Sequence, residues 1–261
     1  MESESKTMYH QHDEFPSKEY LELFFSNKPD MAFADDSWKF PMANLHYIFS
    51  SGFSKGKILM DVTAGPIIHH LLSACNVFKE IILLKVNAKC NMETNKWLNS
   101  DAECFDWTHT LKHATKLEGK SDQIEDKITQ VKSAISQVIP CDFEKENITD
   151  PAVLPLADCI LSLGVMDTIN KNEDDYMRNM EKLSKMLKPG GHLILVGALN
   201  TSYIIIGGER FHVFCYDESF VKKALNKLGF VIDYCAVQRR KNDSEIIDYK
   251  ALMFVTACKT K

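Results

Sequence analysis

Residues 57–66 read KILMDVTAGP, an apolar run followed directly by a turn signal. The apolar run Lys57–Val62 predicts a buried strand, and the letters TAGP (63–66) predict the turn that ends it. A helix is expected over Ile67–Ala74, followed by a second apolar strand over Glu80–Val86. A strand, a turn, a helix and another strand make a βαβ unit, which predicts an α/β fold around a parallel sheet.

The same alternation of apolar runs and helical patterns continues to the end of the chain. Helices are expected over Cys90–Leu117 (two of them), Ser121–Val138, Asp174–Leu187 and Glu218–Leu228, and strands over Val138–Cys141, Ala157–Leu161, His192–Ala198, Phe230–Val237 and Ala251–Cys258. Only a charged loop joins the last two strands, so they should pair antiparallel. The sequence therefore predicts a seven-stranded, mostly parallel sheet with a reversed last strand.

Two helices are expected before the first strand. Pro16 opens a helical pattern that runs to Phe25, because proline suits the first turn of a helix. A second helix should follow Asp35 and Asp36, with Pro41 either kinking it or marking its start. We expect an N-terminal helical cap over residues 1–52 and a main domain over 53–261, together forming one structural unit.

Composition limits the classes of partner. The net charge of −5 argues against a nucleic-acid partner, which would require a basic face. The apolar runs are too short to span a membrane, and the polar, acidic start MESES is not typical of a targeting signal. The eight cysteines show no C-x-x-C spacing, which favours a reducing compartment without disulfides or a zinc site. We expect a cytoplasmic monomer that binds neither nucleic acid nor membrane.

Polar residues follow four of the predicted strands, where an open parallel sheet binds its ligand. Asp61 and the turn after it end the first strand, and Lys85 ends the second. Asp142 and Phe143 end the third, and an acid beside an aromatic ring suits the amino group and ring of adenine. A turn or capping role is the alternative for Asp142. Residues 162–167 follow the fourth strand and include Asp167.

Several motifs make a family resemblance specific. They are LSAC (72–75), FKEI (78–81), FDW (105–107) and LKPGGHL (187–193). With these in order, nearly the whole chain resembles the nicotinamide, indolethylamine and phenylethanolamine N-methyltransferases, and residues 191–207 are especially similar to the phenylethanolamine enzyme. The resemblance implies a Rossmann-like methyltransferase fold, S-adenosylmethionine as cofactor, and methyl transfer to the nitrogen, or a thioether, of a small amine or pyridine-like acceptor.

The resemblance also implies which residues form the site. Tyr20 would close over the cofactor carboxylate, Gly65 would let the backbone approach the cofactor, and Asp142 would face the adenine. The full cofactor-binding set is Tyr20, Phe25, Thr63, Gly65, His69, Asp142, Phe143 and Leu163. Asp167 is the candidate catalytic residue, because a carboxylate there can hold or deprotonate an ammonium substrate. Thr201 and Tyr203 are expected beside the acceptor.

No metal site is expected. His69 and His70 are adjacent, and adjacent residues of a helix point about 100° apart. Packing or solvent contact is therefore the better interpretation of this pair.

Several cofactor-facing positions depart from the family pattern. Thr63 stands where the family has a glycine, and Lys85 stands where it has an acid that accepts two ribose hydroxyls. Losing two hydrogen bonds of about 1–1.5 kcal/mol each predicts cofactor binding weaker by about one to two decades. Cys90, Phe25 and His69 also differ from the family. Two functions stay open: an active small-molecule methyltransferase, or an inactive relative with a binding or structural role.

Overall fold

The computed structural model describes residue 8, residues 15–28 and residues 36–260. Its helices are α1 (Ser17–Phe25), α2 (Asp36–Ser51), α3 (Leu71–Ala74), α4 (Ala88–Leu98), α5 (Thr108–Leu117), α6 (Ile124–Ala134), α7 (Val165–Thr168), α8 (Glu173–Lys185) and α9 (Glu218–Lys227). Its strands are β1 (Ile58–Thr63), β2 (Glu80–Lys85), β3 (Ile135–Pro140), β4 (Ala157–Leu163), β5 (Leu187–Leu199), β6 (Tyr203–Ile206), β7 (Glu209–His212), β8 (Phe230–Arg239) and β9 (Ala251–Lys259).

Seven strands form one sheet in the order β3-β2-β1-β4-β5-β9-β8. The first five are parallel to one another, while β9 is antiparallel to both β5 and β8. The predicted α/β fold and the reversed last strand are therefore confirmed. The strand order reverses direction next to β1, which makes the carboxyl ends of β1 and β4 the place where such a sheet binds ligands.

The centre of the sheet is apolar on both faces. All six residues of β1 are buried, because β2 and β4 flank it and helices cover both faces of the sheet. The core divides into two clusters of buried side chains, one on each face. Leu59 and Leu161 belong to the first cluster, and Met60 and Ile160 to the second. This division follows the alternation of side chains along a strand.

The two N-terminal helices pack onto the same body. Helix α1 contacts α4 and β6, and α2 contacts α3 and α5. Pro41 lies inside α2, so the proposal that it marks the helix start is wrong. Parts of the predicted cap, residues 1–7, 9–14 and 29–35, lie outside the described residues.

Three details of the sequence prediction need correction. The helix expected over Ile67–Ala74 is helical only in α3, because Ile67 and Ile68 continue the turn after Pro66. The helix expected to reach Val138 ends at Ala134, and β3 begins at the next residue. The β6–β7 hairpin, with Gly207 and Gly208 in its turn, was not expected.

No helix in the described ranges has both the length and the apolar character needed to cross a bilayer.

Candidate functional site

Tyr20 and Gly65 meet at the turn after β1. Gly65 has a φ of +78°, a conformation that favours glycine, and a Cβ placed there would lie 2.3 Å from Cε1 of Tyr20. The ring of Tyr20 therefore fills the space that this glycine leaves open. The structure brings together two residues that the sequence assigned to one cofactor, although they lie 45 positions apart (65 − 20).

Phe25 and His69 form an aromatic stack beside this turn. Their ring centroids are 5.1 Å apart, and the ring of Trp107 lies 6.0 Å from that of His69. His69 is fully buried, and neither of its ring nitrogens has a hydrogen-bond partner within the described residues. Burial, followed by the neighbouring His70 and His109, lowers the pKa of His69 well below its usual value. The imidazole is therefore neutral at physiological pH.

Lys85 turns into the protein rather than toward solvent. Its Nζ atom donates to Oγ1 of Thr63 at 3.2 Å and lies 3.6 Å from Oδ2 of Asp61. Thr63 in turn donates to the same carboxylate at 3.1 Å, and Nε2 of His70 lies 2.8 Å from its other oxygen. We call these four buried residues, Asp61, Thr63, His70 and Lys85, the Lys85 network.

The network fixes the charge state of Asp61. Burial alone would raise the pKa of its carboxyl group. The charges of His70 and Lys85 and the hydrogen bonds from His70 and Thr63 outweigh burial, so this pKa is below its usual value. Asp61 is therefore an anion whose charge is stabilised within the fold by His70 and Lys85.

Asp142 and Phe143 follow the end of β3, directly after Cys141, whose backbone N–H donates to the carbonyl of Lys85 at 2.9 Å. Asp142 is exposed, and its Oδ1 accepts a hydrogen bond from the backbone N–H of Glu144 at 2.9 Å. This is the turn role that the sequence left as the alternative. Phe143 is buried, and its carbonyl accepts a hydrogen bond from Lys182 at 2.6 Å.

A cavity of about 690 Å³, its open mouth included, lies at the carboxyl ends of β4 and β5. We call it the Asp167 cavity. Its lining is mostly apolar, and Asp167 supplies the single carboxylate among the described lining residues. Four further residues of the predicted site, Tyr20, Phe25, Leu163 and Thr201, line the same cavity. The structure thus joins parts of the predicted cofactor and acceptor sets in one space.

Asp167 is buried and held from two sides. Its Oδ2 accepts from the backbone N–H of Ala198 at 2.9 Å, and its Oδ1 accepts from the hydroxyl of Tyr216. Burial raises the pKa of Asp167 to about 6, although both hydrogen bonds act to lower it. The carboxylate is therefore mostly ionised at neutral pH and ready to meet a cation.

Tyr216 and Gly197 complete the surroundings of Asp167, and neither role was expected from the sequence. A Cβ at Gly197 would lie 2.2 Å from the hydroxyl of Tyr216 and 2.7 Å from Oδ1 of Asp167. Glycine at this position therefore leaves room for the Tyr216–Asp167 hydrogen bond. A local sequence pattern does not reveal this contact, because Tyr216 lies 49 residues from Asp167.

Tyr203 lies apart from the cavity lining. It is in the β6–β7 hairpin, where its hydroxyl donates to the carbonyl of Glu245 at 3.2 Å. The guanidinium of Arg210 lies 3.8 Å from the centre of its ring. Its neighbour in the prediction, Thr201, is in the lining and donates to the carbonyl of Ala198 at 3.2 Å.

His69 and His70 have separate partners in the structure. Within the described part of the chain, no group of three or more His, Cys, Asp or Glu side chains is placed to hold a metal ion. His70 is instead committed to Asp61, and His69 to its aromatic stack.

Comparisons with known proteins agree with the fold and the motifs. The chain is 31% identical to indolethylamine N-methyltransferase of Mus musculus over 246 residues, covering 94% of this chain and 93% of that protein. It is 31% identical to nicotinamide N-methyltransferase of Homo sapiens over 255 residues, covering 98% and 96%. Human phenylethanolamine N-methyltransferase matches at 30% over 198 residues, covering 75% and 69%.

Solved structures of more distant methyltransferases share the fold. Magnesium protoporphyrin IX methyltransferase from Synechocystis, with bound S-adenosylmethionine, superposes with a TM-score of 0.60 at 9% identity, covering 98% of this chain and 99% of that one. The N-methyltransferase NodS from Bradyrhizobium japonicum, in complex with S-adenosyl-l-homocysteine, gives 0.53 at 12%, covering 94% and 99%. A family model, the NNMT/PNMT/TEMT family, matches residues 4–260. The chain belongs to the NNMT/PNMT/TEMT family.

Proposed function

We propose that this protein transfers a methyl group from S-adenosylmethionine to the nitrogen of a small, largely apolar acceptor held in the Asp167 cavity. The observation that carries the proposal is one buried carboxylate in an apolar cavity beside the β1 turn, in a chain whose relatives are N-methyltransferases by name. A cationic amine is the favoured acceptor, because a desolvated carboxylate requires a positive partner.

The residues fit this cofactor at its two ends. Tyr20, Ala64 and Leu163 line the cavity next to the β1 turn, where the methionine end would lie. The exposed carboxylate of Asp142 is available to accept from an adenine amino group. At the ribose the fit fails, because Lys85 offers donors alone and is engaged with Asp61 and Thr63. The bound cofactor would supply an electrophilic methyl group. The residues of the chain would orient the acceptor, receive its proton and exclude water.

Asp167 orients the acceptor and receives its proton. An ammonium nitrogen must lose a proton before its lone pair could take the methyl group from the sulfonium sulfur, and the carboxylate of Asp167 is the strongest base among the described side chains of the cavity. Tyr216 and Ala198 hold that carboxylate in one orientation. The apolar wall excludes water, so positioning supplies most of the rate enhancement.

A second function is favoured by a specific observation. The buried Lys85 network replaces the acid that would hold a ribose, which supports a protein that binds a small amine without transferring a methyl group. The two functions differ in product, not in where the amine binds.

The test is a transfer assay with S-adenosylmethionine carrying a labelled methyl group. Small amines, pyridines and thioethers are offered as acceptors to the wild-type protein and to Asp167→Asn. The proposal expects labelled product from a primary or secondary amine, with at least a tenfold lower rate in the variant. Binding of the amine without product, at saturating cofactor, would favour the second function.

We also propose that the protein is a cytoplasmic monomer in which the cap (1–52) and the main domain (53–261) form one unit. All eight cysteines are unpaired, which favours a reducing compartment. The contact of Tyr20 with Gly65 supports a cap that completes the site of its own chain. Light scattering on the purified protein tests the monomer, which a dimer mass would exclude.

A further inference from the structure

Within the Lys85 network, the carboxylate of Asp61 is already engaged by Lys85, Thr63 and His70. The network contains one carboxylate and one ammonium, joined through Thr63, and the side chains of Asp61 and Lys85 are both fully buried. A ribose diol presents hydroxyl groups that need acceptors at this point, and an ammonium has none to offer. A ligand with a ribose must therefore separate Lys85 from Asp61 or leave the protons of its two hydroxyls without acceptors.

The space next to the network is filled as well. Tyr20 covers Gly65, and Phe25, His69 and Trp107 stack against one another beside it. Cys90 stands at the start of α4 and is buried, with its sulfur close to the backbone of Gly65. We call this region, from the β1 turn to the end of β2, the β1–β2 side of the site.

The Asp167 cavity adjoins the β1–β2 side through Tyr20 and Phe25 but does not reach the network. None of the four network residues is in its described lining, whereas Asp167, Thr168 and Thr201 are. An amine can therefore pair with Asp167 while the contacts of Lys85 stay intact. Space for the amine does not depend on space for a nucleoside.

We propose that Lys85 closes the β1–β2 side in the free protein, so that a small amine binds at Asp167 without cofactor, and the cofactor binds second and weakly. The inference rests on the proposed function for the identity of the two ligands. It adds the order in which they bind and the residue that imposes that order. Binding of the nucleoside end breaks the Lys85–Asp61 pair, and binding of the amine does not.

The first arm of the test measures the affinity for S-adenosylhomocysteine by titration calorimetry, because this ligand has the nucleoside but no methyl group to transfer. The variant carrying both Lys85→Asp and Thr63→Gly should bind it about 10- to 100-fold more tightly than the wild type, the equivalent of two regained hydrogen bonds. Lys120→Asp makes the same charge change at an exposed position and should leave the affinity unchanged.

A fallback variant guards against misfolding. Lys85→Asp places a second carboxylate near the buried Asp61, so circular dichroism must first show a native melting transition. If it does not, Lys85→Gln is used, because its amide keeps a donor for Asp61 and adds an acceptor oxygen. It should strengthen binding of S-adenosylhomocysteine about tenfold. No gain in any folded variant would overturn the inference.

The second arm measures 2-phenylethylamine binding with and without saturating S-adenosylhomocysteine. The affinity should be the same within about threefold in both conditions, since amine binding leaves the network intact. Amine binding that requires the nucleoside would overturn the inference and leave the proposed function standing. Absence of methyl transfer from every folded protein, with both binding results as expected, would remove the proposed function alone.

Discussion

The Nζ atom of Lys85 lies 3.6 Å from Oδ2 of Asp61, and neither side chain has any exposed surface. Removing one partner of a buried ion pair leaves the other charge uncompensated. Lys85→Met should therefore lower the free energy of unfolding by about 3–5 kcal/mol. Urea denaturation at pH 7 measures this. Adding Asp61→Asn to the same chain should recover at least half of the loss.

The matched control for this prediction is Lys185→Met. Lys185 pairs with Glu146 and Glu181 at the surface, where all three side chains are more than half exposed. Its replacement should leave the unfolding midpoint unchanged. A Lys85→Met protein as stable as this control would show that the pair with Asp61 contributes nothing to the fold.

The affinity for a small amine should depend on the ionisation of Asp167. Burial raises the pKa of this carboxyl group to about 6. The ammonium of 2-phenylethylamine stays charged over the whole measured pH range. The affinity should therefore be constant above pH 7 and fall about tenfold for each pH unit below 6. Calorimetry between pH 5 and 8 checks this, with neutral 2-phenylethanol as the ligand that should show no such dependence.

Asp167→Asn should remove that pH dependence and weaken amine binding by about 1.5–3 kcal/mol, the contribution of a hydrogen bond to a charged group. A variant that binds the amine as tightly as wild type would exclude Asp167 as its partner.

The stability of the free protein should also respond to Asp167. Its folded pKa is raised, so the folded state binds more protons than the unfolded state between about pH 4 and 6. This carboxyl group therefore makes stability fall as the pH rises through that window, and its effect is complete above pH 6. Denaturant melts at pH 4.5 and 7 measure the free energy of unfolding of wild type and Asp167→Asn. The stability of the variant relative to wild type should be greater at pH 7 than at pH 4.5.

Tyr216 acts on the amine through Asp167. Its hydroxyl donates to the carboxylate and lowers the pKa, so Tyr216→Phe should move the midpoint of amine binding above pH 6. The control is Tyr203→Phe, because the hydroxyl of Tyr203 donates to Glu245 outside the cavity lining. An unmoved midpoint in Tyr216→Phe would mean that the tyrosine serves packing alone.

Gly197 should not tolerate a side chain. A methyl group there would lie 2.2 Å from the Tyr216 hydroxyl, so Gly197→Ala should displace that ring and destabilise the protein by about 1–3 kcal/mol. It should also raise the amine-binding midpoint, as Tyr216→Phe does. A stable variant with an unchanged midpoint would contradict the described geometry.

Much of the fold was predictable because its signals are local. The KILMDV and HLILVGA runs mark strands by their own composition, and both strands form. The boundary between α6 and β3 was not, because Ile135 and Val138 continue the helical spacing of Ile128 and Val131 while also suiting a strand. The β6–β7 hairpin does have a local signal, because Gly207–Gly208 lies between two strand-like runs.

Only those properties of the site that follow from the chemistry of a single residue could be predicted from the sequence. That Lys85 cannot accept a ribose hydroxyl follows from its chemistry alone. The pairing of Lys85 with Asp61, through Thr63, depends on the register of β1 and β2. In that register position 61 lies beside position 83, two residues before Lys85. A single sequence does not contain that register, so two separate departures from the family pattern could not be recognised as one network.

Single-turnover methyl transfer at a cofactor concentration below saturation tests directly whether the protein methylates an amine and whether Lys85 and Thr63 weaken cofactor binding. The wild-type protein and the Thr63→Gly, Lys85→Asp variant are each mixed with S-adenosylmethionine bearing a trideuteromethyl group and with 2-phenylethylamine, and mass spectrometry follows the labelled amine. We predict product from both, formed about 10- to 100-fold faster in the variant, because its cofactor site regains two hydrogen bonds. If neither folded protein forms labelled amine, the proposed methyl transfer is contradicted.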